Sequence, residues 1–132
     1  MENPADSEYK LYIDGKWCDA SDKQTFETTC PGNGEVLSTC AEATKEDVDK
    51  AVKAAWNAFP EWKQVEPIER QEILLKIADI IDENAEKLAL IESLDNGKAL
   101  RETTSIDIPF SSDHFRYFAA AVRTEEGSAT KL

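Results

Sequence analysis

The chain has 132 residues, and its 15 Lys and Arg against 27 Asp and Glu leave a formal net charge of −12 at pH 7. This charge argues against nucleic acids and anionic membranes as partners, because both attract basic surfaces. With 41% hydrophobic residues, three Trp, three Tyr and five Phe, the composition is that of a globular protein and not of a disordered acidic tail.

The first forty residues predict two β-hairpins. Asp14-Gly15 separates two short β-prone runs, and an Asp-Gly pair readily takes the positive φ angles of a two-residue hairpin turn. A longer turn, Cys30–Gly34, separates two further runs and contains two glycines. The predicted strands are Tyr9–Ile13, Lys16–Cys18, Thr25–Thr29 and Glu35–Cys40.

Three helices are predicted after Ala43, where the apolar spacing changes from two residues to about 3.6. Thr44 and Asp47 resemble a capping box at the start of the first helix, and Pro60 is predicted to end it. Pro67 suits the first turn of the second helix, because the N–H that proline lacks is not needed there.

The helices carry apolar stripes. Gly97 is predicted to end the second helix in a left-handed cap, and the third helix is predicted over about Ser105 to Arg123. Pro109 must lie in the first turn of that helix or break it. The stripe of the first helix is Val48, Val52, Ala55 and Phe59. That of the second is Leu74, Ile77, Ile81, Ala85, Leu88 and Ile91. In the third, Phe110, Phe115, Phe118 and Val122 are predicted to face inward.

This order predicts an α+β fold, in which two amino-terminal β-hairpins precede three helices. The repeated strand–helix alternation of a complete parallel α/β sheet is missing from the pattern. Met1–Asp6 does not resemble a secretory signal, and the longest apolar run, Phe118–Val122, is far too short to cross a membrane. Three cysteines without a Cys-x-x-Cys pair argue against a disulfide framework and predict a cytoplasmic location.

Catalytic groups are not evident in the sequence. Cys18 and Cys40 have acidic neighbours that disfavour a reactive thiolate, and Cys30 precedes a proline turn, so all three are predicted to be structural. His114, the single histidine, lies in an aromatic segment and is predicted to pack or hydrogen-bond instead of catalysing. No glycine-rich phosphate-binding motif is present. An acidic cluster on the second helix is predicted to be a solvated face, and it consists of Asp79, Asp82, Glu83 and Glu86.

Several stretches share an order with one known family. The matching stretches are Tyr12–Trp17, Phe26–Leu37, Asp47–Val52, Trp62, Glu69-Arg70 and Glu92–Ala99. Together they resemble the amino-terminal part of NAD(P)-dependent aldehyde dehydrogenases, whose Glu-x-Leu-Asp-x-Gly-Lys-Pro stretch is similar to Glu92–Ala99. The chain departs from the family at Cys30, where Asn is usual, and at Ala99, where Pro is usual. Asp113–Ala119 and Glu126–Ser128 resemble the acetaldehyde-oxidising bacterial branch.

The resemblance covers essentially residues 8–132. It implies that residues 9–132 are an incomplete amino-terminal part of the NAD-binding domain, which is Rossmann-like α/β in the complete family enzyme, and that residues 1–8 are a flexible amino terminus. The family oxidises an aldehyde to a carboxylic acid with NAD or NADP, through a cysteine thiohemiacetal. The catalytic and cofactor-binding residues are expected beyond Leu132, so the chain alone is expected to be inactive and to bind no cofactor.

The resemblance also implies a possible metal site. Some family members hold a structural monovalent cation through backbone carbonyls at positions matching Thr28 and Thr29 and through the position matching Asp95. Oxygen ligands of this kind suit a hard cation. The alternative is that Asp95 only helps to end the second helix, because Asp95–Gly97 is already a sufficient turn signal.

Two functional interpretations follow. In the first, the chain is a fragment of an aldehyde dehydrogenase, whose partners are a small-molecule aldehyde and further copies of itself in a homo-oligomer. In the second, it is an autonomous acidic helical module that binds proteins through an uncovered apolar helix face. Exposed surface on the second and third helices is predicted to make the isolated chain self-associate, and a strict monomer would favour the second interpretation.

Overall fold

The computed structural model describes residues 3–124 of the chain. Met1, Glu2 and residues 125–132 lie outside the described residues, and with them the Glu126–Ser128 stretch that contributed to the family resemblance. Strands precede helices in the described part, so the predicted α+β order is confirmed. No helix in residues 3–124 is both long and apolar enough to cross a membrane.

In the described part of the chain, five short strands make two sheets. They are β1 Glu8–Tyr9, β2 Leu11–Ile13, β3 Lys16–Cys18, β4 Thr25–Thr29 and β5 Val36–Ala41. β2 and β3 form an antiparallel hairpin of their own, whereas β5 lies between β4, its antiparallel hairpin partner, and β1, to which it is parallel. Both predicted hairpins are therefore present. Asp14 at φ 54° and Gly15 at φ 74° provide the two positive angles that the first turn requires.

Residues 3–8, part of the segment predicted to be flexible, lie along β5. The Asn3 side chain donates to the Leu37 carbonyl at 2.8 Å, and the Ser38 hydroxyl donates to the Asp6 carbonyl at 2.8 Å. The parallel pairing of β1 with β5 is not predicted by the sequence, because a two-residue strand carries no periodic signal.

Up to residue 124, five α-helices and one π-helical segment follow the strands. They are α1 Lys45–Trp62, α2 Pro67–Glu83, α3 Ala85–Asn96, α4 Leu100–Glu102, the π-helical segment Thr103–Asp107 and α5 Ile108–Ala121. The capping box predicted at Thr44 and Asp47 is present at the start of α1. The prediction that Pro60 ends this helix is wrong. Proline lacks a backbone N–H, so Pro60 costs α1 one hydrogen bond. Because Pro60 lies in the last turn, where several carbonyls already lack helical partners, this loss is tolerated and α1 continues to Trp62.

The second predicted helix is divided at Asn84. Asn84 has φ −110° and ψ 14°, and its side-chain amide donates to the Ile80 carbonyl at 2.8 Å. Asparagine competes in this way for backbone groups, which favours it where helices end. The apolar stripe nevertheless crosses the break, because Ile81 in α2 and Leu88 in α3 are both half-buried. Gly97 closes α3 at φ 78°, the left-handed cap that the sequence predicts.

Pro109 lies in the first turn of α5, as predicted. The inward stripe predicted for this helix is wrong in two positions, since Phe110 is 60% and Phe118 57% exposed. The buried positions of α5 are instead Ile108, Ser112 and Ala119. Hydrophobicity favours large aromatic residues as core positions, whereas α5 buries mainly small residues.

Alanines allow the helices to approach closely. Ala78 of α2 and Ala119 of α5 are both 0% exposed, and Ala89 of α3 is 1% exposed. The α2–α5 pair makes the most extensive helix–helix contact in the described residues. Arg116 of α5 extends this contact with ion pairs to Asp79 at 2.9 Å and Asp82 at 2.5 Å. Hydrogen bonds from Arg116 to the Asp82 and Asp79 carboxylates raise the pKa of the guanidinium.

Arg70 fixes the corner between α1 and α2. Its Nε donates to the Val65 carbonyl at 3.0 Å, and its Nη2 donates to the carbonyls of Trp62 at 3.2 Å and Lys63 at 3.0 Å. The guanidinium also lies over the Trp62 ring, 5.5 Å from its centroid. A cation at this point satisfies the free carbonyls at the end of α1 and complements the helix dipole.

Arg70→Ala is expected to reduce the free energy of unfolding by about 1–2 kcal/mol, since charge-assisted hydrogen bonds to a helix end are lost. Arg70→Lys should be intermediate, because an ammonium keeps the charge but lacks the planar fork that reaches several carbonyls. Urea denaturation followed by circular dichroism measures the change. Arg101→Ala is the control, since the Arg101 side chain is 85% exposed and pairs only with the adjacent Glu102 among the described residues. Equal losses in Arg70→Ala and Arg101→Ala would contradict the role of Arg70.

Candidate cation site and adjoining groove

Two of the three residues predicted to bind a cation lie side by side. The Thr28 hydroxyl in β4 donates to Asp95 Oδ1 in α3 at 2.9 Å, across 67 positions of sequence. Thr29 is next to them at the exposed end of β4, where the pairing with β5 shifts its register between Thr28 and Thr29. The structure therefore brings the three positions to one place and gives Asp95 a defined partner.

A close backbone approach holds this region together. The turn after β4 is closed by the Cys30 carbonyl, which accepts from the Gly34 amide at 2.8 Å. Pro31 in that turn packs so closely on the end of α3 that a Cβ on Gly97 would lie 2.9 Å from Pro31 Cγ. The Thr28–Asp95 hydrogen bond and the Pro31–Gly97 contact together attach the second hairpin to α3.

A groove of about 370 Å³ opens beside Thr28 and Asp95, between the three-stranded sheet and α3. Its walls are mainly apolar, and they include Tyr9, Phe26, Leu37, Cys40, Ile91 and Leu94. Phe26 is 51% exposed, so the groove has an open apolar side.

Cys40 lines this groove, whereas Cys18, Cys30 and His114 do not. Cys30 is buried, Cys18 and Cys40 are half-buried, and all three are free thiols. His114 Nδ1 lies 2.8 Å from the Phe110 carbonyl, and its ring packs edge-on against Phe110 at 4.1 Å between centroids. Within residues 3–124, no hydrogen bond joins a thiol to this imidazole, so the described residues do not form a cysteine–histidine pair.

Two polar contacts near the ends of the helices are not predicted by any pattern in the sequence. Lys98 Nζ lies 2.5 Å from Asp107 Oδ2, which connects the loop after α3 to the π-helical segment. The hydrogen bond to Asp107 raises the pKa of the Lys98 ammonium. Asp47 is 3% exposed and accepts hydrogen bonds from Ser21, 26 positions earlier. Neither pair follows a local spacing rule, so sequence patterns gave no signal for them.

Glycines in the described residues do not form a phosphate-binding loop. Gly15, Gly32 and Gly34 lie in hairpin turns, and Gly97 lies at the carboxyl end of a helix. Glycine-rich phosphate-binding loops hold the phosphate with backbone amides at the amino end of a helix. None of these four glycines lies at the amino end of a helix.

The family model described as the aldehyde dehydrogenase family matches residues 17–132, most of the chain. The chain therefore belongs to the aldehyde dehydrogenase family.

Relatives place this aldehyde dehydrogenase segment in longer proteins. An aldehyde dehydrogenase from Vibrio cholerae is 46% identical over 124 residues, which cover 94% of this chain and 24% of that protein. An acetaldehyde dehydrogenase from Pseudomonas aeruginosa is 47% identical over 124 residues, with the same coverage. The NAD+ complex structure of an aldehyde dehydrogenase from Bacillus cereus matches with a TM-score of 0.89 and 37% identity, over 95% of this chain and 26% of that one. The chain thus spans about a quarter of the length of these relatives.

Proposed function

We propose that the chain is the amino-terminal segment of an enzyme that oxidises an aldehyde to a carboxylic acid, with acetaldehyde or a similar small aldehyde as substrate and NAD or NADP as hydride acceptor. The observation that carries this proposal is the 46–47% identity across 94% of the chain to proteins named aldehyde dehydrogenase and acetaldehyde dehydrogenase. The balanced reaction consumes aldehyde, water and oxidised cofactor and yields acid, reduced cofactor and a proton. A cytoplasmic location is part of the proposal and is supported by three free cysteines.

Within that enzyme, residues 9–132 support the dinucleotide-binding domain and do not take part in the chemistry. The resemblance to the amino-terminal part of the family, whose catalytic and cofactor-binding residues are expected beyond Leu132, supports this division of roles.

The coding sequence that follows the Leu132 codon, and the activity of the complete gene product, test the proposal. We expect a downstream cysteine-bearing motif, and a purified product that reduces NAD or NADP when acetaldehyde is added. A complete product that reduces neither cofactor with any small aldehyde would overturn the proposal. Aldehyde-dependent turnover by the 132-residue chain alone would contradict the assignment of a supporting role.

Homo-oligomer formation belongs to the same proposal, and uncovered apolar surface supports it. Tyr117 is 67%, Phe110 60% and Phe118 57% exposed, and these three residues of α5 line one surface depression. Contiguous apolar surface of this kind promotes association in water.

Light scattering on the purified chain should therefore give a mass above the 14.7 kDa of a monomer and a mass that rises with concentration. Phe118→Asp should lower that mass, because a charge in an apolar contact is costly to desolvate. Tyr12→Asp is the control, since Tyr12 is 62% exposed but lies on the first hairpin. A strict monomer at high concentration would contradict this prediction and favour the autonomous binding module.

The cation site is also a proposal. Backbone carbonyls at Thr28 and Thr29 and the Asp95 carboxylate would be its ligands from this chain, and further ligands would come from other parts of the complete enzyme. The chemistry of the donors fits, because hard cations prefer oxygen ligands. Residues 3–124 contain no cluster of three or more His, Cys, Asp or Glu side chains that could hold a metal ion.

Sodium should therefore raise the melting temperature of the complete enzyme more than choline does at equal ionic strength. A site with sodium at ten times its Kd contributes about 1.4 kcal/mol. Asp95→Asn should remove this difference, because the amide can still accept from Thr28 but carries no charge. Asp113→Asn, an exposed carboxylate on α5, is the control. Persistence of the full sodium effect in Asp95→Asn would mean that Asp95 only stabilises the helix end.

A further inference from the structure

Helix α1 differs from the other long helices in how it is held. Asp47 is its only buried residue, whereas α2, α3 and α5 bury Ala78, Ala89 and Ala119. Among the helices and strands of residues 3–124, only β2 makes more than one or two contacts with α1. The apolar face of α1 is uncovered, since Val52 is 51% and Trp56 69% exposed. Burial of apolar area therefore contributes little to keeping α1 in place.

At the amino end of α1, polar contacts hold the helix in place. Asp47 Oδ2 accepts from the Ser21 amide at 3.0 Å, the Thr44 amide at 3.0 Å and the Thr44 hydroxyl at 2.8 Å. Asp47 Oδ1 accepts from the Ser21 hydroxyl. The Ser21 hydroxyl in turn accepts from Lys50 Nζ at 3.0 Å. We call Ser21, Thr44 and Asp47 the clasp, because they join the loop after β3 to α1.

The loop side of the clasp is well ordered by its own contacts. The Lys23 amide donates to the Ala20 carbonyl at 2.8 Å, and Lys23 takes a positive φ of 61°. The Glu42 amide donates to the Gln24 carbonyl at 2.9 Å, which ties this loop to the end of β5 just before α1. The donors from Ser21 and Thr44 hold the pKa of the Asp47 carboxyl well below its usual range, so the clasp is ionised at neutral pH.

We propose that α1 is a separately opening arm of the fold, fastened by the clasp at one end and by the Arg70 corner at the other, which can detach while α2, α3 and α5 remain folded. Segments with little buried apolar surface open at a lower free energy than the core. Helix α1 is such a segment, because polar contacts hold its two ends while the apolar face between them is exposed.

Hydrogen–deuterium exchange read by mass spectrometry tests the arm in the 132-residue chain. Amides of residues 48–62 should exchange at least tenfold faster than those of residues 70–83 and 108–121. Asp47→Ala should accelerate exchange at residues 48–62 at least tenfold further and leave the two core segments unchanged. Asp49→Ala is the matched control, because Asp49 is an exposed acid on the same helix.

Ser21→Ala separates the clasp from the capping box, since it removes only the hydroxyl that reaches Asp47 from the loop. Ser21→Ala should also accelerate exchange at residues 48–62, but by a smaller factor than Asp47→Ala. The proposal is overturned if residues 48–62 exchange as slowly as the core in the unmodified chain. Acceleration of all helices together by Asp47→Ala, or no acceleration by it, would overturn the proposal equally.

Discussion

Replacing Ala119 by Leu is expected to destabilise the chain by about 1–3 kcal/mol, because a well-packed core has no room for the added atoms. Ala119 is 0% exposed on α5, and α5 makes its most extensive contact with α2. A larger side chain must therefore push these two helices apart or adopt a strained rotamer. Separation of the two helices should also lengthen the ion pairs of Arg116 with Asp79 and Asp82, which join α5 to α2.

Ala120→Leu is the matched control, since Ala120 is the next residue along α5 and is exposed. Both variants make the same small change in helix propensity, so only the buried position should show a large loss. Urea denaturation measured by circular dichroism and by tryptophan fluorescence gives the two free energies of unfolding. Equal values for Ala119→Leu and Ala120→Leu would contradict a close α2–α5 contact.

Replacing Gly97 by Ala is expected to cost more than about 2 kcal/mol, of which the left-handed backbone accounts for about 1–2 kcal/mol. The remainder is steric, of the order of 1 kcal/mol, because the new Cβ would lie 2.9 Å from Pro31 Cγ. The position links the second hairpin to α3, so the loss should also weaken the Thr28–Asp95 contact.

Gly32→Ala is the control for Gly97→Ala. A Cβ at Gly32 would meet Cys30 Sγ at 3.7 Å, an ordinary contact, and Gly32 does not have a positive φ. Pro31→Ala provides a second test, because it removes Pro31 Cγ and should make Gly97→Ala less costly in the double variant by the steric part alone. Thermal denaturation of the four variants measures both parts. A loss in Gly97→Ala no greater than in Gly32→Ala would refute the close approach.

Local signals in the sequence predicted local structure well. Asp14-Gly15 identified the first hairpin turn, Thr44 and Asp47 the start of α1, and Gly97 the end of α3. Each of these is set by backbone angles or by hydrogen bonds over three or four residues, and such constraints are visible in a short stretch of sequence. The division at Asn84 was missed because the apolar stripe continues across it.

The core of α5 could not be predicted from hydrophobicity alone. Phe110 and Phe118 are more hydrophobic than Ser112 and Ala119, yet the aromatic residues are exposed and the small residues are buried. In this helix the packing partner decides which side faces inward, and the close contact with α2 selects small residues. The exposed aromatic face is consistent with a surface that other parts of a longer enzyme cover.

The candidate site depended on the resemblance to a family. Thr28 and Asp95 are 67 positions apart, and no periodicity or spacing rule connects them. Ser21 and Asp47 show the same limit at a separation of 26 positions, since only the fold brings the loop after β3 to the start of α1. Polar pairs between residues far apart in the sequence therefore become visible only in the three-dimensional structure.

A segment exchange tests the central claim most directly, that this chain is the supporting amino-terminal quarter of an aldehyde dehydrogenase. Residues 9–132 would replace the corresponding part of the Vibrio cholerae aldehyde dehydrogenase, which is 46% identical over the matched region. We predict that the exchanged enzyme folds and reduces NAD or NADP with an aldehyde substrate, with the kcat of the parent enzyme largely kept. A soluble, folded exchanged enzyme without aldehyde-dependent turnover would contradict the claim, because the missing activity would then depend on residues that this chain does not supply.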